Sequence, residues 1–114
     1  QDYLLENCSP DSVDFELDMY WVEVGGASTI EYLEKYPNRF RLVHVKDRMN
    51  NAPAGEGDTS CTLGTGDIDY AKILKVAKEQ GAQYYILEQE RYDGTTPLEA
   101  AKVGAEYLKN VKLV

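Results

Sequence analysis

Phe40-Arg41-Leu42-Val43-His44-Val45, running on into Lys46-Asp47, is the stretch on which the fold turns. It predicts a strand over residues 40–45. Its period of two sets Leu42, His44 and Lys46 on one face and Val43 and Val45 on the other. Upstream, Val13-Asp14-Phe15-Glu16-Leu17-Asp18 alternates in the same way, with Val13, Phe15 and Leu17 facing away from Glu16 and Asp18. Downstream, Tyr84-Tyr85-Ile86-Leu87 predicts a third strand, whose face of Tyr84 and Ile86 continues in phase to Glu88 and Glu90.

Helical signals separate the strands. Ser28-Thr29-Ile30-Glu31 has capping-box spacing and opens a short helix reaching about Tyr36, where Pro37-Asn38 ends it. Asp67 is expected to cap a helix over 68–80, with Ile68, Ala71, Leu74 and Ala77 at helical spacing and Gly81 placed to stop it. Thr96-Pro97-Leu98-Glu99 combines an N-cap, a proline at the first helical position and a capping-box glutamate, so a last helix runs to about Asn110. Residues 46–66 form a long polar stretch of the kind that is functional or disordered inside a compact domain. Alternating strands and helices imply an α/β fold with parallel strands, and three strands leave two open edges.

The chain has 114 residues, 20 acidic against 12 basic, and a formal net charge of −8. That length allows one compact unit. The negative balance without a basic cluster argues against nucleic acid as a partner, and no apolar run has the ~20 residues of a membrane span. Two cysteines, Cys8 and Cys61, make no disulfide scaffold; read as free thiols, they leave cytoplasm and periplasm equally open. The chain starts at Gln1, and residues 2–7 read like the last turns of a helix already under way. The expectation is a processed chain or a piece of something longer.

Asp18, His44 and Glu88 each fall at or near the C-terminal end of a strand, the end where parallel α/β structures bind ligands. Together they are oxygen and nitrogen ligands suited to Mg²⁺, Mn²⁺, Co²⁺ or Zn²⁺. The competing reading of His44, the one histidine in the sequence, is a satisfied structural residue. Glu16 shares the inward phase and needs a partner that the sequence does not name. Gly64-Thr65-Gly66 before a helix suggests a phosphate cradle, but the full glycine-rich fingerprints are missing and Asp67 would repel an anion, so it reads as a turn.

Phe15-Glu16-Leu17-Asp18-Met19-Tyr20-Trp21, Leu42-Val43-His44-Val45-Lys46-Asp47, Gly64-Thr65-Gly66-Asp67-Ile68-Asp69-Tyr70 and Ile86-Leu87-Glu88-Gln89-Glu90 occur in that order. The set resembles the last three βα units of the sugar phosphate isomerase/epimerase group of xylose isomerase-like TIM barrels, from about Tyr3 to Leu113. The resemblance implies that residues 1–114 are the C-terminal portion of a (β/α)₈ barrel of about 250 residues. It implies a metal held by Asp18, His44 and Glu88, with a further acid on the fifth strand, which this chain lacks. The implied chemistry is isomerisation or epimerisation of a sugar or sugar phosphate, by proton transfer next to a carbonyl through a metal-stabilised enediolate. Glu88 would be the general acid/base, and Lys46 would neutralise an oxyanion or a phosphate unless it is simply a solvated lysine. Trp21 and Tyr20 would stack on a sugar ring or pack beneath the following loop. Glu90 would touch substrate or solvent, and Asp47 would orient Lys46 or cap a turn. Two alternatives stand beside this: a lyase or dehydratase of the same superfamily, inosose dehydratase-like, and a non-catalytic half-barrel. In either case an oligomer or a complementary barrel fragment is expected to cover the open edges.

Overall fold

The structure, a computed structural model, describes residues 1–53 and 56–114; residues 54–55, within the long polar stretch, lie outside the described residues. In chain order the elements are α1 (Asp2–Asn7), β1 (Phe15–Asp18), α2 (Met19–Val24), α3 (Thr29–Lys35), β2 (Phe40–Val45), β3 (Asp47–Arg48), β4 (Ser60–Cys61), α4 (Tyr70–Glu79), β5 (Tyr84–Leu87) and α5 (Pro97–Asn110). The order β1-β2-β5 builds a three-stranded sheet in which both pairings are parallel. A second sheet is the short antiparallel pair β3-β4.

The alternation in the sequence is realised as two unlike faces. Leu17, Val43 and Val45 are fully buried toward the helical layer, where Leu33, Ile73, Leu74 and Ala77 join the same core. Burying each of the valine, leucine and isoleucine side chains contributes about 1.5–3 kcal/mol, and this layer holds the sheet in register. On the opposite face Tyr84 is 57% and Ile86 37% exposed. Among the described residues β1 and β5 each have one strand neighbour, so the sheet ends in two open edges.

Register fixes the heights of the strand ends. Asp18 lies level with His44, and His44 lies level with Ile86, two residues before Glu88. The Glu88 N–H donates to the Val45 carbonyl at 3.1 Å and carries the ladder one step further.

Three helix signals behave as read. Ser28 accepts from the Glu31 N–H, and Thr96 accepts from the Glu99 N–H with Pro97 opening the helix. Gly81 has φ of +97°, a left-handed conformation that ends α4 without a Cβ penalty. Other boundaries move. The first strand starts at Phe15 rather than Val13, because the Val13 N–H closes a turn onto Ser9 and Phe15 makes the first ladder bond, to Arg39. α4 begins at Tyr70 with Asp69 as its cap, not at Ile68 with Asp67. Asp67 is instead paired with Arg48, Nε to Oδ1 at 2.8 Å. α2 and the β3-β4 pair have no counterpart in the sequence reading. The former is a six-residue turn capped by Asp18, and the latter is too short to show alternation.

Asp47 organises the turn that follows. Its Oδ2 accepts the N–H groups of Gly64 and Gly66, both at 2.9 Å, and its Oδ1 those of Arg48 at 2.9 Å and Ile68 at 3.4 Å. Burial pushes the Asp47 carboxyl up, and the four donors pull against it. A Cβ on Gly66 would collide with the Arg48 carbonyl oxygen and the Asp47 carboxylate. Gly64-Thr65-Gly66 is therefore a turn whose two glycine N–H groups are spent on a carboxylate of the chain itself, while the Thr65 N–H donates to the Thr62 carbonyl at 3.0 Å. Asp47→Ala orphans these donors and should lower the unfolding free energy in urea by about 2–4 kcal/mol, with Asp47→Asn falling between variant and parent.

Candidate metal centre

Asp18, His44 and Glu88 come together as the strand parity requires. One ligand atom from each lies within 4.8 Å of the other two, and all three side chains are half-buried. His44 Nδ1 stands 3.0 Å from Glu88 Oε2 and 3.4 Å from Asp18 Oδ2, while its Nε2 is 2.8 Å from Glu16 Oε1. Glu16 is thus the partner-seeking carboxylate of the first strand, and its partner is the imidazole.

Two local features position the set. Asp18 is the N-cap of α2, its Oδ1 accepting the Trp21 N–H at 3.1 Å, which leaves Oδ2 to face His44. Glu88 Oε2 is buried yet has no hydrogen-bond partner among the described residues, although Nδ1 is close. A carboxylate oxygen buried without a donor carries a penalty of about 1–3 kcal/mol or more. Two carboxylate oxygens and an imidazole nitrogen around one point are a donor set that a divalent cation satisfies. Metal-bound imidazoles usually hand their second nitrogen to a carboxylate, as Nε2 faces Glu16 here. The residues present fit a metal.

Lys46 shares the face of His44 but is not a solvated strand-end lysine: its side chain is fully buried. Nζ donates to Glu90 Oε2 at 2.7 Å and lies 3.7 Å from Asp58 Oδ2. The rings of Tyr20 and Trp21 stand 4.6 and 5.2 Å away. Burial works against the charge, but the hydrogen bond donated to Glu90 and the charges of Asp58, Glu90 and Glu88 prevail and hold the ammonium above the ordinary lysine value. Trp21 is 48% exposed and meets Tyr20 edge-on, whereas Tyr20 is wholly buried and belongs to the packing. Asp47 serves its turn and makes no bond to the Lys46 ammonium. Asp58, Thr59 and Ser60 escaped the sequence reading, since they sit in the long polar stretch and only the chain crossing brings them to the site.

The Lys46 cluster gives a pH-dependent outcome. Its raised folded value stabilises the protein below the unfolded lysine range and is lost only as pH rises through it. Burial opposes the lowering of the Asp58 carboxyl, but the Ser60 N–H that it accepts at 2.7 Å and the charge of Lys46 leave it below the usual carboxylate value. That contribution is present above the unfolded aspartate value and lost as pH falls. Lys46→Met should cost about 1–2 kcal/mol at pH 7, the exposure of Glu90 limiting the loss. In urea melts the gap should narrow as pH drops through the carboxylate range.

No family model matches the chain. Inosose dehydratases from two strains of Clostridium perfringens are each 32% identical to it, across 74% of this chain and 33% of theirs. Two crystal structures of sugar phosphate isomerase/epimerases from Parabacteroides distasonis superpose with a TM-score of 0.74 each. One is 36% identical and covers 95% of this chain and 34% of its own; the other is 30% identical and covers 99% and 36%. The chain spans about a third of the length of the relatives it matches. With a parallel α/β sheet, the strand-end residues and both kinds of similarity agreeing, this chain is similar in sequence and fold to about a third of the length of sugar phosphate isomerase/epimerases of the xylose isomerase-like TIM-barrel kind.

Proposed function

We propose that the chain supplies the Asp18, His44 and Glu88 wall of a divalent-metal centre in a sugar isomerase or epimerase that moves a proton next to a carbonyl. The observation that carries this is the convergence of three ligand atoms within 4.8 Å, one of them the buried, unpartnered Glu88 Oε2. A bound Mn²⁺, Mg²⁺, Co²⁺ or Zn²⁺ polarises a carbonyl and its neighbouring hydroxyl. The chain's own side chains do the rest. Asp18 and His44 hold the ion together with Glu88, and Glu88 takes and returns the proton at the adjacent carbon. Lys46, charged and dry, directs N–H donors at an oxygen that gains negative charge. Trp21 offers a flat apolar surface to a sugar ring, and Glu90 fixes Lys46 while facing substrate hydroxyls.

Residues 1–114 are read as the last three βα units of a (β/α)₈ barrel, the C-terminal portion of such a domain. The exposed Tyr84 and Ile86, the two open edges and the one-third length of the match support this. The fourth ligand, an acid of the fifth strand, then comes from complementary strands, supplied by a longer chain or an associated partner. The naming of the curated relatives as inosose dehydratases favours a second reading, a lyase using the same metal and base to expel a hydroxyl.

Calorimetric titration with Mn²⁺ tests the centre. The chain should bind the ion, and His44→Ala and Glu88→Gln should weaken binding by about ten- to a hundredfold; a parent chain with no affinity defeats the metal reading. Incubated alone with ketoses, their phosphates and inososes, the chain should fall far below the ~1–10³ s⁻¹ of ordinary enzymes. A monomer in sedimentation equilibrium turning over at such rates would refute the need for complementary strands. Once the barrel is completed, product analysis separates an epimer from a dehydrated product.

A further inference from the structure

We propose that Thr59 and Ser60 form a clasp that sets the distance between Asp18 and Glu88, making them positioning residues for the metal site read above. Both are buried, Thr59 at 4% and Ser60 at 0% exposure. Ser60 Oγ accepts two consecutive backbone N–H groups, those of Glu90 and Arg91, each at 3.1 Å. These lie two and three residues beyond Glu88. On the other side the Thr59 N–H donates to the Tyr20 hydroxyl oxygen at 3.1 Å, and Thr59 Oγ1 and that hydroxyl share a further bond at 3.0 Å. Tyr20 is two residues beyond Asp18 and completely buried.

The same dipeptide is anchored to the strand that carries His44. Ser60 and Cys61 pair with Arg48 and Asp47, and Asp47 is three residues past His44. Ser60's own N–H is held by Asp58 Oδ1 at 2.7 Å. Thr59-Ser60 therefore bonds to the chain leaving β1 and to the chain leaving β5, while its hairpin is fixed to the chain leaving β2.

A clasp is needed because the ladder stops short of the site. The last sheet bond near Glu88 is its own N–H onto Val45, and residues 89–91 have no strand to follow. Without Ser60 the path after Glu88 and the first turn of α2 would shift independently. The separation of Glu88 Oε2 from Asp18 Oδ2 would then be free to vary. A centre of three ligands on three strands tolerates little of that freedom.

Amide exchange and ¹⁵N spectra of the metal-free chain decide the matter through cross-talk. Tyr20→Phe, which removes one hydroxyl and keeps the ring, should speed exchange at Glu90 and Arg91 about tenfold although it touches neither. Ser60→Ala should in turn loosen the Trp21 amide on Asp18. Folded variants whose changes stay on their own side overturn the clasp, and if Ser60→Ala does not fold, Tyr20→Phe decides alone. In Mn²⁺ titrations both variants should weaken binding by about ten- to a hundredfold, while Thr59→Ser, which keeps the hydroxyl, retains the parent affinity. Parent-like affinity in a folded Ser60→Ala or Tyr20→Phe also overturns it. If the parent binds no Mn²⁺, the metal reading fails and the exchange cross-talk alone judges the clasp.

Discussion

Parallel pairing of β1, β2 and β5, with their apolar residues in phase toward the helices, is the constraint from which the rest follows. Because side chains alternate, sliding one strand by a single residue would turn its apolar set toward the uncovered face and its charged set into the helical core. Leu17, Val43 and Val45 oppose that slip through their burial, and they have nothing to do with chemistry. What they settle is that Asp18 lies level with His44 and that Glu88 follows in the same phase. The centre is a by-product of packing on the opposite side of the sheet.

That face carries an unusual charge balance. Glu16, Asp18, Glu88 and Glu90 share it with one imidazole and one ammonium. Lys46 and Glu90 neutralise each other at 2.7 Å. Around His44 there remain three carboxylates, and in their ionised forms they exceed even a protonated imidazole by two negative charges. Like charges about 4 Å apart repel by about 4 kcal/mol at an effective dielectric constant near 20. A divalent cation matches both the sign and the size of that excess.

The sheet, its direction and the strand-end trio were legible because alternation and phase are local properties of a few residues. Asp18, His44 and Glu88 needed only parity and the rule that parallel strands bind ligands at their C-terminal ends. The surroundings of Lys46 were not legible. Parity gave it the right face, but its burial depends on Tyr20, Trp21, Asp58 and Glu90, and three separate segments deliver these. Asp67 misled as a helix cap because two aspartates stand two residues apart, and tertiary pairing with Arg48 decided between them. Thr59 and Ser60 carry no signal at all: a two-residue strand has no period, and their partners lie about thirty to forty residues away.

The uncovered face also explains how the site is held. Packing cannot fix side chains on a surface where Tyr84 and Ile86 remain exposed, so order must come from polar partners. Asp18 is held by the Trp21 N–H, His44 faces Glu16, and Lys46 is gripped by Glu90 between two rings. The backbone beyond Glu88 hangs on Ser60. Of the three ligand atoms it is Glu88 Oε2 that is buried with no hydrogen-bond partner among the described residues. The imidazole nitrogen 3.0 Å away offsets its desolvation only in part, so on the metal reading a cation arriving there would relieve a cost already built into the folded chain. On that reading, ordering of the carboxylate and capture of the ion would be a single event, and affinity would depend on how well its neighbours hold Glu88 in place beforehand.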